Sequence, residues 1–109
     1  MNIDSGSTPF CLVLMPFGSG SDDVYTLEIR PAIENAGFRA QRLEEFASTD
    51  LLVSVIWRAI KEAQVIVADL SGKNPNVFYE LGLAHALGKP ALILTQSLKD
   101  VPWKLWELQ

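Results

Sequence analysis

Two acidic side chains, Asp69 and Glu80, with the polar residues between them, are the groups in this chain best placed to do chemistry. They lie in VIVADLSGKNPNVFYELGLAHALGKP, residues 65–90, where Asp69 ends an apolar run and Glu80 falls in the helix-like segment that follows. Acids at a strand end and in the early turns of the next helix are held rigidly by their elements. Partial burial there tunes their protonation for acid–base, nucleophilic or charge-stabilising work. A structural account of both also stands: a glutamate near a helix N-terminus complements the helix dipole, and a strand-end aspartate caps the loop it begins. Pattern alone leaves the two open.

The elements that would position these acids follow from the same stretch. Val65-Ile66-Val67-Ala68 is a short β-branched apolar run, expected as a strand buried on both faces of a parallel sheet. Asp69, Ser71, Gly72, Lys73 and Asn74 make a polar loop, and Asn74-Pro75 reads as an N-cap followed by proline at the first helical position. At 100° per residue, Val77, Leu81 and Ala84 share the buried face and Glu80 lies on its boundary. Strand, loop and helix in this order put the loop at the carboxyl edge of the sheet, where open α/β folds bind ligands. Both acids are expected to face that crevice.

The rest of the chain repeats the alternation. FCLVLM over 10–15 is a central strand ended by Pro16, and the loop FGSGSDD follows. Its Gly18-Ser19-Gly20 lacks the third glycine of a dinucleotide fingerprint and the lysine of a P-loop, so a turn is the reading, with backbone amides able to meet a phosphate. A helix capped by Asp22 or Asp23 runs to about Ala36, with a kink or break expected near Ile29-Arg30 because of Pro31. Residues 38–42 form an edge strand with a basic exposed side, and a helix capped at Ser48, Thr49 or Asp50 runs to about Ala63. Gly88-Lys89-Pro90 stops the central helix, and 91–95 is the last strand. The expected fold is therefore α/β: one three-layer domain over 1–109, flavodoxin-like or Rossmann-like, with a mostly parallel sheet of four to five strands and helices on both faces.

Composition bounds the partners. Apolar residues at 49% and charged residues at 20% fit a soluble globular domain. A net charge of −4 and a pI near 4.8 argue against nucleic acid as partner, since a phosphate backbone needs clustered Lys and Arg. Cys11, the only cysteine, sits in an apolar run and reads as core. No apolar stretch suits a membrane span, no leader pattern opens the chain, and a cytoplasmic location follows. His85 with Cys11 makes no ligand set of usual spacing, so neither metal nor cofactor is expected.

ADLSGKNPNVFYELGLAHALGKP, with the earlier CLVLMPFG, resembles the nucleoside 2-deoxyribosyltransferase-like proteins and the neighbouring TIR-like predicted nucleotide-binding proteins of bacteria. The resemblance implies that Glu80 acts at the anomeric carbon of a ribosyl group and that Asp69 lies near the sugar. It places Met15, Pro16, Phe17 and Gly18 along the pocket, with Ser71, Asn74 and Asn76 beside the substrate. Relatives carry Pro-Phe-Asp-Leu-Arg near the end and then a last strand, where this sequence reads Pro102-Trp103-Lys104-Leu105-Trp106.

Two functions are implied. The first is cleavage or transfer at the N-glycosidic bond of a nucleoside, nucleotide or NAD-like substrate, with Glu80 as nucleophile or stabiliser of an oxocarbenium ion. The alternative is a non-catalytic module that binds or signals through a nucleotide. Trp103, Leu105, Trp106 and Leu108 near the end favour self-association, expected as a dimer.

Overall fold

The computed structural model describes residues 9–16, 19–43 and 53–101. Its apolar runs form four parallel strands, β1 (Phe10–Leu14), β2 (Arg39–Arg42), β3 (Val65–Asp69) and β4 (Ala91–Leu94), in the order β2-β1-β3-β4. The two most buried strands are the central pair, with Leu12 of β1 set against Gln41 on one side and Ile66 on the other. Burial on both faces is the physical reason that β1 carries no polar residue.

The helices divide between the two faces. On one, α3 (Val53–Glu62) and α4 (Pro75–Ala86) pack Ile56, Ile60, Val77 and Leu81 against Leu12, Leu14, Ile66 and Ala68. On the other, α1 (Ser19–Val24), a π turn (Tyr25–Ile29) and α2 (Arg30–Asn35) pack Tyr25, Ile29 and Ile33 against Cys11, Val13, Met15 and Val67. Alternate residues of β1 and β3 thus feed opposite cores, as strand alternation requires. This is the expected three-layer α/β architecture. Among the described residues, no helix is long and apolar enough to cross a membrane.

Three local outcomes refine the sequence reading. The break expected at Pro31 takes the form of the π turn: the Arg30 amide bonds the Tyr25 carbonyl five residues back, and Pro31 then stands at the start of α2. The wider turn relieves the clash between a proline ring and the carbonyl four residues before it. Gly20 lies in the first turn of α1, which begins earlier than the Asp22 or Asp23 cap suggests. The basic residues of β2 fall on opposite faces: Arg39 faces solvent, while Arg42 is buried at 4% exposure against α1 and the π turn. Cys11 is core, and burial pushes its thiol up to about 11, which leaves it protonated and unreactive at neutral pH.

Candidate functional site

The chain leaves β1 toward α1 on one face and leaves β3 toward α4 on the other. Because β1 and β3 are neighbours, their carboxyl ends open a crevice where the connections diverge, the place where doubly wound folds take ligands. A cavity of about 480 Å³ occupies it, lined by Met15 and Pro16 from the end of β1, Leu43 after β2, Ile56 of α3, and Asn74, Asn76, Tyr79 and Glu80 around the start of α4.

The start of α4 is set by local chemistry. The Asn74 side-chain carbonyl accepts from the amides of Asn76 (2.9 Å) and Val77 (3.2 Å), a cap that fixes where the helix begins. Before it, Gly72 (φ 81) and Lys73 (φ 57) take left-handed backbone in succession, which turns the chain from the end of β3 into α4. Three bonds hold that turn. Asp69 Oδ1 accepts from the Ser71 amide (3.0 Å), Ser71 Oγ accepts from the Gln96 amide (2.8 Å), and Asp100 Oδ2 accepts from the Gly72 amide (2.9 Å).

With the helix start fixed, Asn76, Tyr79 and Glu80 stand at i, i+3 and i+4 on the side of α4 that meets the cavity. Glu80 is half-buried, and burial pushes its carboxyl from 4.5 up to about 7. The cause is desolvation: apolar walls favour the neutral acid. A carboxyl poised near neutrality exists in both forms at physiological pH, the condition under which acid–base and charge-stabilising roles are both open to it.

Of the residues singled out in the sequence, Met15, Pro16, Asn74, Asn76 and Glu80 come together around the one cavity. Asp69 and Ser71 stand beside it at the same sheet edge, but neither is among the described lining residues. Asp69 shares a face of β3 with Val65 and Val67, whose side belongs to the α1–α2 core, and its Oδ1 accepts from the loop it starts. Phe17 and Gly18 lie outside the described residues, as do Trp103, Leu105, Trp106 and Leu108. Sequence reasoning missed Val13, Leu43, Ile56, Val77 and Tyr79 as wall residues. Only Tyr79 had a local signal, its i+3 spacing from Asn76. Among the described residues, no group of three His, Cys, Asp or Glu side chains could hold a metal ion.

No family model matches this sequence, and no curated protein matches it. Among solved structures, the chain is similar to the CMP N-glycosidase BcmB of Clostridium botulinum, with a TM-score of 0.66 and 20% identity. The match covers 89% of this chain and 79% of that one, and at this identity it establishes a shared α/β fold.

Proposed function

We propose that this protein cleaves the N-glycosidic bond of a nucleoside, nucleotide or NAD-like molecule, with Glu80 as the residue that meets the anomeric carbon. The observation that carries the reading is a desolvated carboxyl set into the wall of the switch-point cavity. As the bond to the base breaks, positive charge develops on C1′ and the ring oxygen. An ionised Glu80 either bonds C1′, giving a glycosyl ester that water or a second base then opens, or stabilises the cation while water attacks directly. In hydrolysis the water oxygen bonds C1′, and the base leaves with the glycosidic electron pair and is protonated. Asn74 and Asn76 supply polar contacts for sugar hydroxyls, Met15, Pro16 and Ile56 an apolar wall for a flat base, and Asp69 holds the loop that presents them.

The structural neighbour acts on CMP, so a pyrimidine nucleotide heads the substrate panel. In this reading the partner is a small molecule, no cofactor takes part, and the protein works in the cytoplasm as a dimer. Incubation with nucleosides, nucleoside monophosphates and NAD, followed by chromatography for free base, tests it. Base release supports catalysis. A ligand that raises the melting temperature yet stays intact supports the non-catalytic binding module instead.

A further inference from the structure

Arg42, at the end of β2, is one of the two charged side chains that are buried among the described residues, and one of its contacts is to the cavity wall. Its Nη2 donates to the Pro16 carbonyl (3.0 Å) and its Nη1 to Asp22 Oδ1 (2.8 Å), and its guanidinium lies 5.1 Å from the centre of the Tyr25 ring. Val13 is its register partner on β1 and Leu43 follows it in the chain; with Pro16, these are three of the residues lining the cavity.

We propose that Arg42 is the positioning residue of the site: it ties Pro16, just after β1, to Asp22 within α1, and so sets the wall against which substrate lies. This rests on the reading of the cavity as the N-glycosidic site. Stability alone does not ask for an ion here, because the Asp22 carboxylate is 56% exposed and an ion pair open to solvent on one side contributes little. What a leucine cannot do is fix two acceptors on different elements at once, and the planar guanidinium fork does so with little loss of side-chain freedom. Lysine presents a single point charge and cannot reproduce the geometry.

The test uses Arg42→Met, which keeps an unbranched apolar stem, and Arg42→Lys, which keeps the charge. Both are expected to lower kcat/KM for base release by about a hundredfold per folded molecule, the scale of a small misplacement of a reactant. Amide exchange is expected to quicken at Met15 and across 20–24 while 66–69 and 79–86 keep wild-type protection. Wild-type kcat/KM with only a lowered melting temperature would overturn the proposal. So would full activity in Arg42→Lys, or exchange that quickens evenly over the whole chain. Should wild-type protein release no base from any substrate, the catalytic reading falls by itself, and the exchange pattern in the two variants decides the role of Arg42.

Discussion

Replacing Glu80 by glutamine keeps the size and hydrogen-bonding reach of the side chain and removes its charge, so the variant reports what that charge costs the fold. In the unfolded chain the carboxyl titrates near 4.5, and in the folded protein near 7. Below about 4.5 both states hold the proton and the stability linked to it is fully present; it is lost as pH rises through about 7, where the folded state must ionise a desolvated group. At about 1.4 kcal/mol per pH unit, that gap sets a ceiling of about 3 kcal/mol. Glu80 keeps part of its hydration, so the realised penalty is less than half of this, about 1–1.5 kcal/mol. For a domain of this size that is about 5 °C in Tm. Melting curves of wild type and Glu80→Gln from pH 4.5 to 8.5 should coincide at the acid end and separate as pH rises, with the variant the more stable at pH 8. A helix-dipole role predicts the opposite sign, a loss of about 0.3–1 kcal/mol in the variant at neutral pH. Curves that stay parallel, or a wild type that gains on the variant as pH rises, would refute desolvation as the dominant influence on this carboxyl.

If Glu80 works ionised, kcat/KM for base release should climb about tenfold per pH unit below about 7 and level off above it, which a pH–rate profile checks. Asp69→Asn retains an oxygen that can accept from the Ser71 amide, so its Tm should stay near wild type and its loss of activity should be smaller than that of Glu80→Gln; Asp69→Ala should lose about 1–3 kcal/mol in denaturant unfolding. Asn74→Ala removes both cap bonds of α4 and should lower stability by about 0.5–2 kcal/mol while weakening ligand binding, measured by unfolding and by ligand-dependent thermal shift. Light scattering at rising concentration should show a dimer, and a monomer throughout would remove the self-association reading.

The parts of the fold that depend on local chemistry were legible in the sequence. Asn74-Pro75 announces the start of α4 and Gly88 its stop, because a cap, a fixed φ and a left-handed residue (φ 71) act on their own neighbours. The apolar runs of β1 and of 65–68 in β3 announce strands buried on both faces, since such burial favours apolar side chains throughout. Contacts made across the sequence were not legible. Arg42 reads as a surface charge until its partners, Asp22 on α1 and Pro16 after β1, fold onto it. Leu43 and Ile56 read as loop and core stripe, and become cavity wall only when three elements meet. Asp69 is the instructive case. The end of its strand is clear from the sequence, and its parity with Val65 and Val67 gives it the α1–α2 face, from which Val13 and Met15 also reach the cavity, but its bond to the Ser71 amide within the loop is not visible there. Pro31 signals a broken helix without saying that a π turn would absorb the break.

The most direct test of the central claim is base release by wild type and Glu80→Gln, side by side at pH 8 and saturating substrate, across nucleosides, nucleoside monophosphates and NAD. Wild type is expected to free a base from at least one of them, and the variant, folded and at least as stable, to do so about a hundredfold to a thousandfold more slowly. A Glu80→Gln protein that releases base at the wild-type rate would contradict it.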